Sequence, residues 1–101
     1  MFAQTYSYQA DPSQTEAVSQ FVKNAVVTDI QRQHGFKGMR ALVDRQSGKG
    51  LGISYWETEA DARAAAKVSA NPPPPPAGVS VPPLKGITIE VYEVLVDIPG
   101  A

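Results

Sequence analysis

The order of periodicities along the chain predicts an α+β fold. Residues alternate with period two near 2–8, 39–45, 51–57 and 86–98, which reads as four strands. A long stretch with apolar residues at three- and four-residue steps follows the first strand, and an alanine-rich stretch follows the third. Between the two middle strands, Gln46-Ser47-Gly48-Lys49-Gly50 forms a hairpin loop whose glycines accept positive φ. The resulting order, β-α-β-β-α-β, is the ferredoxin-like split βαβ pattern: a four-stranded antiparallel sheet with both helices on one face.

In the first strand, Phe2, Gln4, Tyr6 and Tyr8 share one face and Ala3, Thr5 and Ser7 the other. Asp11-Pro12-Ser13-Gln14 then reads as a helix start. Asp11 is the cap, Pro12 suits the first helical position, and Gln14 stands where a capping box places its amide. The stripe of Val18, Phe21, Val22, Ala25, Val26 and Ile30 predicts a helix running to about His34, stopped by Gly35 in a left-handed conformation. Met39 to Arg45 and Leu51 to Glu57 are the hairpin strands. Thr58 caps a second helix, with Glu59 and Asp61 in its first turn, where the helix dipole favours acids. Its alanines, Ala60, Ala62, Ala64, Ala65 and Ala66, let it lie close to a sheet. Asn71 and the run Pro72 to Pro76 end that helix; the run reads as an extended polyproline connector. Gly86 to Ile98 is the last strand.

Two helices cover one face of such a sheet, so the other face would be polar if it met only water. It is not. Leu42 opposes Met39, Ala41 and Val43; Leu51, Ile53 and Tyr55 oppose Gly52, Ser54 and Trp56; Tyr92, Val94 and Val96 oppose Ile87, Ile89, Val91 and Leu95. A second copy of the sheet, packed across a two-fold axis, is the simplest cover, and the expectation is a homodimer through the sheet face.

Composition bounds the function. The 101 residues predict one domain, with 43% apolar and 19% charged residues. Net charge is −1 and the basic residues are scattered, which argues against a nucleic-acid partner. There is no cysteine, so disulfides, thiolate nucleophiles and zinc-finger sites are excluded. No apolar run approaches the roughly 18 residues of a membrane span, and Met1-Phe2-Ala3-Gln4-Thr5 lacks a signal-peptide pattern. A cytoplasmic protein is the expectation.

The block His34 to Ala66 carries a family resemblance. Gly35-Phe36-Lys37-Gly38, Leu42-Val43-Asp44, the glycine hairpin and Ile53-Ser54-Tyr55-Trp56-Glu57-Thr58-Glu59-Ala60-Asp61-Ala62 resemble the antibiotic-biosynthesis-monooxygenase-like family of the dimeric α/β-barrel superfamily. The resemblance covers the middle third of the chain and reaches the flanking strands by pattern only. It implies a homodimer with sheets face to face and a pocket between each sheet and its helices. Some members oxidise phenolic polyketide intermediates with molecular oxygen and no cofactor. Others degrade haem with a pocket Asn, Trp and His. This chain departs from the haem pattern: its only asparagines are Asn24 and Asn71, and its second helix has no histidine.

Five residues are candidates for binding a substrate. His34, the single histidine, reads either as a side chain at a helix C-terminus or as a general base at a pocket mouth. Alone, without cysteine, it makes a transition-metal site improbable. Trp56 reads as core or pocket wall, with an indole N–H that could orient a ligand. Tyr6 and Tyr8 could place phenols in a pocket or pack at an interface. Arg40 could hold an anion or sit in a surface ion pair. Gly48-Lys49-Gly50-Leu51-Gly52 lies between strands and lacks GxxxxGK[ST], so it reads as a hairpin and not a phosphate loop. Two functions follow. One is a cofactor-independent monooxygenase acting on an aromatic or polyketide-like molecule. The other is a non-catalytic homodimer of the same fold that binds a small hydrophobic ligand or a protein.

Overall fold

The computed structural model describes residues 1–100. Strand β1 (Phe2–Gln9) leads through a 3₁₀ turn (Pro12–Gln14) into the first helix, residues 15–31. Strands β2 (Phe36–Val43) and β3 (Lys49–Trp56) form the hairpin, the second helix spans Glu59–Ala70, and β4 (Lys85–Glu93) closes the sheet. The strand order is β2-β3-β1-β4, antiparallel at every pairing. The predicted α+β ferredoxin-like architecture is what the chain adopts. Both helices lie on the Trp56 face. Ile30 from the first helix and Ala62 and Ala65 from the second pack around Trp56, with Phe2, Phe36, Met39 and Val91 against them. Phe36 meets the indole edge-on at 5.6 Å.

Thr58 caps the second helix as expected, its hydroxyl accepting from the Asp61 N–H at 3.1 Å. Gly35 takes φ +81°, the left-handed stop. Four local expectations need correction. Gln14 makes no cap bond; instead the Asp11 carboxylate accepts from the Ser13 N–H and hydroxyl at 2.9 and 2.7 Å, which completes the 3₁₀ turn without it. The first helix ends at Gln31, not His34, because the Arg32 and Gln33 N–H groups turn back on Asp29 and Ile30 at 3.2 Å in a tightened last turn.

β2 runs from Phe36 to Val43, not Met39 to Arg45. A register shift at Gly38 lets Phe36 pair with Trp56, and Asp44 closes the hairpin on Lys49 at 2.9 Å. β4 stops at Glu93, well short of Ile98. Its ladder runs out where Phe2 faces Glu93, and the last bond joins the Val94 N–H to the Met1 carbonyl. Residues 95–98 belong to no strand, and Leu95 and Ile98 are more than four-fifths exposed.

The first helix holds a departure that residue spacing does not announce. Thr15–Phe21 and Val27–Gln31 are α-helical, but Val22–Val26 is a π turn. Val18 and Ile30 are both buried. At 3.6 residues per turn, side chains twelve apart point roughly 120° away from each other. The wider π turn rotates less per residue, so Ile30 swings back onto the face that carries Val18.

Candidate functional site

The helix-covered face of the sheet has two unlike ends. At one end the large residues Phe2, Trp56, Phe36 and Val91 fill the layer beneath the second helix. At the other, β3 presents glycine opposite the tyrosines of β1: Tyr6 pairs with Gly52 and Tyr8 with Gly50. The missing side chain at Gly52 borders a hollow. The first helix forms its wall through Phe21, Val22, Ala25, Val26 and Asp29. The proline segment, together with Val81, Pro82 and Leu84, crosses over it. The resulting cavity has a volume of about 820 Å³ and is mostly apolar, within the range of small-molecule sites.

Its polar groups are few. Gln4 and Ser54, facing partners on β1 and β3, are both buried. The Trp56 indole N–H donates to the Ser54 hydroxyl at 2.8 Å, Ser54 donates to the Gln4 side-chain oxygen at 3.0 Å, and the Gln4 amide donates to the Thr5 carbonyl at 3.1 Å. This relay fixes the cavity floor and leaves Trp56 no free donor. Tyr6 and Tyr8 line the cavity with ring centroids 6.2 Å apart. Their hydroxyls make no hydrogen bond among the described residues. Burial, and for Tyr6 also the neighbouring Tyr8, pushes both phenols above their usual range, so they stay protonated donors. The Tyr8 ring lies across Gly50, where a β-carbon would overlap it. Asp29 is the one carboxylate and Arg32 the one cation in the lining among the described residues.

Of the five candidates, Tyr6 and Tyr8 therefore stand at the cavity. Trp56 is wholly buried in the core beside it. Arg40 projects from the opposite, outer face of the sheet, across the strand from Ile53, and is exposed. His34 lies in the turn after the first helix, its Nδ1 2.9 Å from the Asp61 carboxylate at the start of the second helix. That bond raises the His34 pKa, and the same bond, with Thr58 second, lowers that of Asp61. Gln4, Ser54 and Asp29 are cavity residues that sequence reasoning does not single out. Gln4 shares the Tyr6/Tyr8 face, and Ser54 shares that of Trp56, which is the only signal they offer. Asp29 is brought round by the π turn. Among the described residues no cluster of His, Cys, Asp or Glu is placed to hold a metal ion.

No family model matches the chain, and no curated protein does either. Solved structures do. A variant of MhuD with two manganese protoporphyrin IX molecules bound per active site matches over 99% of this chain and 100% of its own, with TM-score 0.75 at 14% identity. The haem degrader MhuD from Mycobacterium tuberculosis, with two haems bound in its active site, matches over 98% and 100%, with TM-score 0.68 at 16% identity. A monooxygenase from Streptomyces coelicolor, ActVA-Orf6 in complex with nanaomycin D, matches over 98% and 92%, with TM-score 0.58 at 16% identity. The chain has the fold of the antibiotic-biosynthesis-monooxygenase-like proteins. The likeness read in His34 to Ala66 thus holds at the level of the fold, and it extends along nearly the whole chain. No helix among the described residues is long and apolar enough to cross a membrane.

Proposed function

We propose that this protein is a cofactor-independent monooxygenase acting on an aromatic or polyketide-like small molecule. The observation that carries the reading is the apolar cavity with two unpartnered phenol donors, Tyr6 and Tyr8, on its floor and one carboxylate, Asp29, on its wall. The chemistry suits an activated methylene between aryl rings. Asp29 accepts a proton from it, and the tyrosine hydroxyls hold the oxyanion of the resulting enolate. The electron-rich carbon reduces oxygen directly: a C–O bond forms, the O–O bond breaks, one oxygen atom remains as a ketone and the other leaves as water. ActVA-Orf6 is a monooxygenase with nanaomycin D bound in the same fold, which supports this class.

Haem, bound by MhuD, fits this cavity poorly. The described lining holds no histidine or cysteine to ligate iron, and a single exposed arginine would face the acidic side chains of the porphyrin. No step is therefore routed through haem. The test is oxygen uptake by the purified protein with an anthrone-like phenol. Uptake above buffer that falls in Tyr6→Phe and Asp29→Asn is the expected result. No uptake above buffer, with the compound still bound, would leave the non-catalytic ligand-binding reading.

The same proposal includes a homodimer through the outer sheet face. Leu42 and Tyr92 are about half exposed there, and Leu51, Ile53 and Tyr55 are only partly covered. One cross-strand row runs Arg40, Ile53, Thr5, Glu90, with opposite charges at its two ends. A two-fold axis parallel to the strands lays each Arg40 over Glu90 of the second copy, which supports self-complementary packing. A cytoplasmic setting belongs to this reading and suits a chain without cysteine.

A further inference from the structure

The charge distribution around the cavity says more about its ligand than its shape does. Its walls are mostly apolar side chains from the first helix, the proline segment and β4, with Asn24, Thr28, Gln33 and Ser69 as neutral polar residues among them. Among the described residues Asp29 is the only carboxylate in the lining, partly shielded on the helix wall, while Arg32 is exposed to solvent. Nothing buried can neutralise an anion. The Trp56 indole and the Ser54 hydroxyl are committed to the relay that ends on the Gln4 oxygen, and the Gln4 amide gives one N–H to the Thr5 carbonyl. Beside neutral Asn24, Thr28, Gln33 and Ser69, the floor's aromatic donors with no partner among the described residues are therefore the Tyr6 and Tyr8 hydroxyls. Both are donors, and they want an acceptor such as a carbonyl or ether oxygen.

We propose that the cavity selects uncharged, largely apolar ring compounds that carry a carbonyl-type acceptor, and excludes anions of the same shape. The proposal rests on the reading that the cavity binds a ligand. An anion entering it gives up hydration against apolar walls with no buried cation in return, and meets the Asp29 carboxylate as well. A solvated arginine at the rim offsets little of this. A neutral ketone keeps its one strong need, a hydrogen-bond donor, satisfied by a tyrosine. Under the proposed reaction the substrate therefore enters neutral and develops charge only once it faces the phenols.

A matched pair tests this: 9-fluorenone-2-carboxamide and 9-fluorenone-2-carboxylate, which share rings, ketone and size and differ in charge. Binding to the intact protein at pH 7 is measured by calorimetry, with unfolding midpoints recorded for every variant. The carboxamide should bind at least about tenfold more tightly than the carboxylate. Asp29→Asn should narrow that gap by strengthening the carboxylate. The pair Tyr6→Phe and Tyr8→Phe, which keep both rings, should weaken the carboxamide several-fold. Equal or tighter binding of the carboxylate overturns the charge selection, and unchanged carboxamide affinity in both phenylalanine variants overturns the role of the hydroxyls. If neither compound binds, the cavity is not a ligand site at all, and the reading beneath the proposal fails with it.

Discussion

Tyr8 and Gly50 show how one missing side chain makes room for another. The ring occupies the space a β-carbon at position 50 would take, whereas Gly52 opposite Tyr6 has only ordinary contacts around its missing β-carbon and lines the hollow. Period-two alternation makes the shared face of Tyr6 and Tyr8 legible; nothing local tells which face of the sheet the helices cover. Trp56 is the counter-example. A conspicuous aromatic at a strand end invites a functional reading, yet the residue fills the core and its N–H is committed to Ser54. Ser54→Ala should therefore strand a buried indole donor and cost about 1–3 kcal/mol in urea unfolding. Ser54→Thr, which keeps the hydroxyl, should recover part of that loss. An alanine variant as stable as the parent would show that the relay does not hold the floor.

Among the elements, the two helices are joined at one point by His34 and Asp61, which link the turn after the first helix to the first turn of the second. The pair has a pH signature. The folded-state pKa of His34 is raised above its ordinary 6.5, so its contribution is fully present below pH 6.5 and fades as pH rises through the folded value. That of Asp61 is lowered below its ordinary 3.8, so its contribution is present above that pH and is lost as pH falls through the folded value. The stability difference between the parent and His34→Ala should peak between those limits and shrink on both sides, read as urea midpoints across pH. A difference that stays flat from pH 4 to 9 would show that the pair does not link the helices.

The strands and the two helices were legible, whereas their ends and the π turn were not. The first helix stops early because its last N–H groups tighten onto Asp29 and Ile30, and β4 stops early because its partner strand does. The π turn escaped pattern reading because four-residue steps from Val18 to Ile30 look like an ordinary helical stripe.

For the whole molecule, the question is what meets the outer sheet face. Charge reversal at either end of the Arg40–Glu90 row should weaken self-association by about tenfold or more, since like charges would then face each other twice across the two-fold axis. Combining Arg40→Glu with Glu90→Arg should restore it. Sedimentation equilibrium at micromolar concentration reads both. A parent chain that sediments only at 10.8 kDa would refute the dimer, and single reversals that leave the dimer intact would refute this geometry.

The sequence by itself determined the strand and helix order, the hairpin, the cap at Thr58 and the two-sided apolar strands, because these depend on residues within a turn or two of each other or on simple alternation. The tertiary structure decided where the second face of each residue points. It sent Arg40 outward, sank Trp56 into the core, tied His34 to Asp61, and gathered Tyr6, Tyr8 and Asp29 around one hollow under the proline segment. Those outcomes depend on register between strands and on the rotation of the first helix through its π turn. Both are set by packing across the whole sheet, which no local window of residues contains.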